Sequence, residues 1–526
     1  MEEDIELLKL NLSKINIIDV VNHINREFFN IYEDGTDIYP EMDIQNKTNF
    51  ISPLKECLYL AGLLMSTIDN SNVFLIRDNN FSSQIYEIEE AINRITIKYM
   101  TNFINRTEED SLVSMDAFSS YFNMGILCTE SQTFYLLNTL YKDFEDEIIK
   151  ETSLSINDYI NFYKFIRDKV YKQWDDAINK QVKVRERSCI QKQFLIDKFG
   201  EEKTNFFLEK FSMKREKRNF MYYNQDNPAN RCPLFWINEQ TLAVMEPFNF
   251  LLNSIFSFLT SILENINSKI LRKFNERKGI FTEERALYFF EQIFKDNAKY
   301  HVNVCEKKGT NEHDILIEYK DYILVIEVKA TKFREPLFNP EKAYKRIRDD
   351  FFSVRGIGGA YEQALKLKKM IEDNTEITLY EDMNKPFVIK ETSSKKILPI
   401  VITLNQFGVL AVKSSDILDL NMSDIEIYPW VCDIYTLELI IKVINSLGKN
   451  MDDFIEYISW RMTYNKNIRA TDEMDIVDMF FTCKEQLMRL VQNKIEVNFS
   501  SSVNIINTIF MQEDGVKCSH PLIGKK

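Results

Sequence analysis

Over the first 223 residues apolar positions recur every three or four residues, the period of a helix with one buried face. "SINDYINFYKFIRDKVYKQW" is representative. Ser155 can cap, Asp158 completes a capping-box-like start, and Tyr159, Tyr163, Ile166 and Val170 follow at helical spacing. "EIEEAINRITIKYMTNFI" and "ESQTFYLLNTLYKDFEDEIIKE" repeat the pattern without any fixed repeat length, so a solenoid is not expected. The pattern predicts a large all-helical N-terminal region over 1–223. "YYNQDNPANRCPLFW", Tyr222 to Trp236, breaks it with Asn, Asp and two prolines and marks a domain boundary. Residues 224–275 then read as linker plus one apolar helix. Its uncharged stretch "PFNFLLNSIFSFLTSIL" is shorter than the ~20 residues of a membrane span and contains Pro, Asn and Ser. A buried helix is the expectation.

Beyond residue 276 the period changes. Gly279 punctuates, Thr282 can act as N-cap, and a helix is predicted from about Glu283 to Asp296. "ILIEY" and "YILVIEVKA" read as strands, "GGAYEQALKLKKMIED" as a helix, and "ILPIVITL" and "FGVLAVKSS" as further strands. Gly356, Gly358 and Gly359 fit no phosphate-binding motif and read as a flexible lead-in to the helix. From about Trp430 helices return. The predicted class is therefore α/β: an αββαβ core over 276–429, flanked by the N-terminal helical region and a C-terminal helical region over 430–526.

The two strands around "KD" (Lys320, Asp321) define a hairpin. With those two residues as the turn, Tyr319 pairs with Tyr322 and the ladder places Asp314 opposite Glu327. Alternation puts Glu327 and Lys329 on one face of their strand and Asp314 on the same face of its partner. Two carboxylates and an ammonium thus converge at one end of the hairpin. Carboxylates held that close repel unless a positive charge lies between them, and hard oxygen ligands suit Mg²⁺ or Mn²⁺. With a lysine one pleat along to act on a water or a phosphate oxygen, this is equipment for metal-assisted phosphodiester hydrolysis. The competing reading is a solvated surface hairpin with a side-by-side Glu–Lys pair. Against it, "YILVIEVKA" is apolar on both faces up to the charged pair, and charges buried in such a strand are costly.

Asp314 followed by Glu327-Val328-Lys329 across a short hairpin resembles the signature of the PD-(D/E)xK nuclease superfamily, the restriction-endonuclease-like fold. An acidic residue on the preceding helix ("GIFTEERALYFF"), Gln363 on the following one ("AYEQALKLKK") and the later strand "ILPIVITL" agree with that pattern. The resemblance covers about residues 276–415. It implies that Asp314 and Glu327 bind metal, that Lys329 and Gln363 belong to the catalytic set, and that the helical glutamate completes the metal site. That glutamate is Glu283 or Glu284; Glu283, on the apolar face with Leu287, Phe290 and Phe294, is preferred. One departure is that His313, not proline, precedes Asp314. Proteins of this resemblance serve in microbial defence or DNA processing, so the implied activity is a Mg²⁺- or Mn²⁺-dependent endonuclease. A rival is a nucleic-acid-binding or scaffold protein with an inert core of the same kind.

Composition sharpens the partner more than the fold. The 526-residue chain is 45% apolar and 28% charged, with net charge −14, which argues against a generally basic surface. Residues 328–370, however, hold eleven Lys/Arg, among them Lys342, Lys345, Arg346 and Arg348, against five acids, a net of +6. A basic island beside the hairpin is where a phosphate backbone would lie. The expected partner is nucleic acid, DNA ahead of RNA, with no membrane. The N-terminal helical region would be a sensor, targeting or assembly module, the last through a protein partner or a second copy. Eight cysteines without CxxC spacing, and an acidic start "MEEDIELLKL" with no signal-peptide pattern, suit a cytoplasmic protein. "CSH" (Cys518, His520) is too small a set for a metal site.

Overall fold

The computed structural model describes residues 1–29, 53–70, 81–104, 129–178, 187–245, 249–308, 312–330, 343–419 and 422–499, apart from a few single positions. The chain is mixed α/β and divides into two compact units at Phe274/Asn275.

The first unit is mainly helical. Its principal helices are α1 (Glu2–Ser13), α2 (Ile17–Phe29), α3 (Pro53–Met65), α4 (Phe81–Ile104), α5 (Ile156–Ile178), α6 (Glu201–Phe211) and α7 (Phe250–Asn265). At the start of α5 the Ser155 hydroxyl accepts from the Asp158 N–H at 3.1 Å and the Asp158 carboxylate accepts from the Ser155 N–H at 2.9 Å. Tyr159, Tyr163, Ile166 and Val170 are all buried along it. Two expectations are corrected here. The region is not all helix: β1 (Cys189–Gln191), β2 (Ser212–Lys214), β3 (Leu234–Trp236) and β4 (Thr241–Val244) form a small sheet in the order β1-β4-β3-β2. Strands of three or four residues are too short to show a period of two, which is why the pattern hid them. Nor is Tyr222–Trp236 a boundary. The Asn227 side chain caps a one-turn helix at Pro228–Arg231, and Leu234 and Phe235 are fully buried in β3. The apolar helix α7 packs one face inward through Leu251, Leu252, Ile255, Leu259 and Leu263. Among the described residues no helix is long and apolar enough to cross a membrane.

The second unit is built on a seven-stranded sheet. After α8 (Ser268–Phe294) come β5 (Lys299–Cys305), β6 (Glu312–Tyr319), β7 (Tyr322–Lys329), α9 (Ala343–Phe352) and α10 (Ile357–Glu372). The strands β8 (Glu376–Glu381), β9 (Lys385–Lys390), β10 (Lys396–Thr403) and β11 (Trp430–Asp433) follow, then helices α11 (Ile434–Ser446), α12 (Met451–Thr463) and α13 (Glu473–Gln492). The strand order is β11-β10-β7-β6-β5-β8-β9. β6 and β7 are the expected hairpin in the expected register, with Tyr319 opposite Tyr322 and Ile315 opposite Ile326. β7 then pairs in parallel with β10, from Tyr322 opposite Lys396 to Lys329 opposite Thr403. Pro399 sits one residue before β11 joins β10 at Ile400, so that stretch of β10 is still an edge, where proline is tolerated. On one face Ala364, Leu367 and Ile371 of α10 pack with Leu316, Ile323 and Val325. On the other, Phe294 of α8 lies 5.0 Å from the Tyr319 ring and 6.0 Å from Phe454 of α12, centroid to centroid.

Several local expectations fail for physical reasons. α8 runs unbroken through Gly279, whose missing Cβ faces open space, and Thr282 is no cap: its hydroxyl donates to the Lys278 carbonyl one turn back. A glycine in a helix interior costs about 1 kcal/mol, too little to break a 27-residue helix. "FGVLAVKSS" is not a strand; Val409–Val412 is a single helical turn after Gly408 at φ 53°. Trp430, where helices were expected to resume, opens the edge strand β11. The glycines before Gln363 are not a flexible lead-in. Gly358 and Gly359 lie buried in the first turns of α10, where an added Cβ would come 2.9 Å from the Phe351 carbonyl and 2.5 Å from the Ser353 carbonyl. They let α10 close onto the end of α9.

Candidate active site at the end of the central hairpin

The β6–β7 ladder ends at Ile315 and Ile326, and the polar residues begin immediately beyond it. Asp314 does not continue the backbone pairing; its carboxylate accepts the Val328 N–H at 2.6 Å. Glu327 is only 1% exposed. One of its oxygens, Oε1, lies 2.6 Å from His313 Nδ1, and the other, Oε2, is buried without a hydrogen-bond partner. The Lys329 ammonium stands 3.6 Å from Glu327 Oε2 and 3.9 Å from Asp314 Oδ2, and donates to Gln363 Oε1 at 3.1 Å. Asp314, Glu327, Lys329 and Gln363 therefore come together, on β6, β7 and α10.

Glu283 is half-buried on α8, near enough to this group for the charges of Lys329 and Glu327 to act on it. Burial holds its carboxyl above the ordinary range, Lys329 pulls it down, and Glu312, Glu284 and Glu327 raise it further. Glu284 is exposed and pairs with Arg277 at 2.9 Å. Among the described residues no three His, Cys, Asp or Glu side chains are gathered as a metal site, so Glu283 does not close a three-ligand set here. The reason is local. Asp314 turns to the Val328 amide and Glu327 to His313, while Glu283 is carried on a separate helix.

The electrostatics follow from burial. The Asp314 carboxyl is pushed up to about 7, first by desolvation and then by Glu327 and Glu283, against the pull of Lys329 and the Val328 N–H. The orphaned Glu327 Oε2 is the informative atom. A buried carboxylate oxygen without a donor is unfavourable unless something positive reaches it. The donor set facing it, oxygen from two carboxylates, suits a hard divalent cation. Asp314 and Glu327 are the residues here that could hold Mg²⁺ or Mn²⁺, by the chemistry of their oxygens rather than by a gathered ligand set.

Of the basic island, Lys345 and Arg348 on α9 and Lys366 and Lys369 on α10 are exposed. Lys332, Arg334 and Lys342 lie outside the described residues, as do the Arg346 side chain and Cys518 and His520. What the pattern missed is the pair behind the site: His313, whose Nε2 is 3.4 Å from Glu306 Oε1 while Nδ1 holds Glu327. Strand alternation puts His313 on the face opposite Asp314, and only the end of the ladder lets the ring reach Glu327. The one available signal was a histidine where the resemblance expects proline. No family model, curated protein or solved structure matches the chain.

Proposed function

We propose that the second unit is a Mg²⁺- or Mn²⁺-dependent nuclease with a restriction-endonuclease-like core, hydrolysing phosphodiester bonds in nucleic acid, with DNA ahead of RNA. The observation that carries this reading is the buried Glu327 beside Asp314 and Lys329, with one carboxylate oxygen left without a donor. A divalent cation held by Asp314 and Glu327 would neutralise charge on a phosphate and lower the pKa of water. Lys329, a point charge on a flexible stem held by Gln363, would orient the attacking water or stabilise charge on the scissile phosphate. Lys345, Arg348, Lys366 and Lys369 offer exposed cations on the helices after the hairpin for a phosphate backbone.

A second reading, an inert core that binds nucleic acid, draws on one observation: His313 already occupies Glu327 Oε1. The two separate on metal. The purified chain, incubated with single- and double-stranded DNA and RNA, should cleave in Mn²⁺ or Mg²⁺ and stop in EDTA. Binding without cleavage in either metal would discard the enzyme in favour of the binder. To the unit before Asn275 the reading assigns targeting or assembly.

A further inference from the structure

His313 is absorbed by neither the motif nor the cleavage chemistry, yet its ring is hydrogen-bonded to the Glu327 carboxylate. We infer that His313 is a positioning residue which, backed by Glu306, clamps Glu327 Oε1 so that Oε2 is the oxygen offered to a divalent cation. The argument is geometric. A carboxylate has two oxygens and one torsion about its terminal bond. With Oε1 at 2.6 Å from Nδ1, that torsion is fixed and Oε2 is left as the face toward Lys329 and Asp314. An ionised carboxylate can only accept, so Nδ1 carries the proton whichever charge the ring bears. The ring is held from behind by Glu306, 3.4 Å from Nε2, and is 5% exposed, so solvent does not compete for it. A ligating carboxylate is oriented by its own hydrogen-bond partners, and loss of such a partner typically weakens metal affinity by ~10–100-fold.

Proline at this position could not do this, having no donor; the departure from the family pattern is what supplies the clamp. The inference rests on the metal reading above, so the test measures binding rather than cleavage. Mn²⁺ is titrated calorimetrically into the full chain and into His313→Leu, His313→Asn and His313→Gln, with the melting temperature of each taken alongside. The Asn amide places its nitrogen near ring Nδ1, and the Gln amide places its nitrogen near Nε2. The two variants have equal polarity but only Asn can reach Glu327. His313→Leu and His313→Gln should bind Mn²⁺ ~10–100-fold more weakly, with His313→Asn within a few-fold of the parent. A structural role alone would shift the melting temperatures and leave affinities together. Equal affinity in Asn and Gln variants overturns the clamp, and that comparison stands even if His313→Leu does not fold. A parent chain that takes up no Mn²⁺ overturns the metal reading itself, a different result from parent binding that the variants share.

Discussion

Among the described residues the second unit buries two glutamates, Glu327 and Glu473, and they are treated in opposite ways. Glu473, at the start of α13, is saturated: Oε1 accepts from Trp430 Nε1 at 2.8 Å, Tyr457 Oη at 2.5 Å and Arg461 Nε at 2.8 Å, and Oε2 accepts from Arg461 Nη2 at 2.9 Å. Glu327 has one partner on one oxygen and none on the other. The cations differ too. Arg461 meets Glu473 with a planar fork at hydrogen-bond distance, whereas Lys329 stands off from both carboxylates and bonds only Gln363 among these neighbours. A satisfied carboxylate with a bidentate partner locks β11, α12 and α13 together. Glu327 keeps one oxygen without a hydrogen-bond donor, 3.6 Å from an ammonium that bonds Gln363 instead. Equally buried carboxylates thus differ in donors per oxygen, and that count is the criterion on which the proposed reading separates Glu327 from Glu473.

The comparison breaks first at Glu473. Glu473→Ala strands a buried arginine and should lower unfolding free energy by about 3–5 kcal/mol in denaturant titrations. A loss below 1 kcal/mol would mean the network is ornamental and the contrast with Glu327 empty. Next comes Lys329→Met, which keeps the stem and removes the charge. Cleavage should fall at least ~10²-fold while the melting temperature moves little. A destabilised but fully active protein would make Lys329 the counterpart of Arg461, a structural cation.

The smallest effect tests the criterion on a third carboxylate. Asp433 caps α11, with Oδ1 taking the Tyr435 and Thr436 N–H groups at 3.0 Å each and Oδ2 the Thr436 hydroxyl at 2.8 Å. It is saturated and so should be structural. Burial outweighs these bonds and lifts its carboxyl to about 6. The folded state therefore holds the proton more tightly than the unfolded chain, whose aspartate titrates near ~4. Stability from this group is fullest below pH ~4 and is lost as pH rises through 6. Asp433→Asn, which does not titrate, should gain about 1–2 kcal/mol on the parent between pH 4.5 and 7.5. A pH-independent difference would remove Asp433 from the titrating set.

The hairpin was legible because a two-residue turn fixes the register of every pair as far as Ile315 and Ile326; Asp314, Glu327 and Lys329 lie just past the end of that count, where the expected Asp314–Glu327 pairing is not made. Gln363 was legible because α10 has a clean apolar stripe. The rest failed where sequence period carries little information. β5 reads "KYHVNVC", alternation diluted by polar residues on both faces, and β11 is four residues long. Gly279 and Gly359 look alike in sequence; one meets open space and the other a carbonyl, a difference only packing defines. His313 was visible as an anomaly without a role, since its partner becomes reachable only where pairing stops.

β7 is held on both sides, by β6 and by β10; α10 packs on one of its faces, and Leu324 and Ile326 on the other are fully buried. Its interior amides have no local route to solvent. Deuterium can enter there only when the whole sheet comes apart, so Val325 and Ile326 belong with the slowest-exchanging amides of their unit. The carboxylate and lysine at the end of that strand ride on the last element to let go. As the chain is warmed, the placement of Glu327 and Lys329 should persist as long as the sheet does, and the two should be lost in one event.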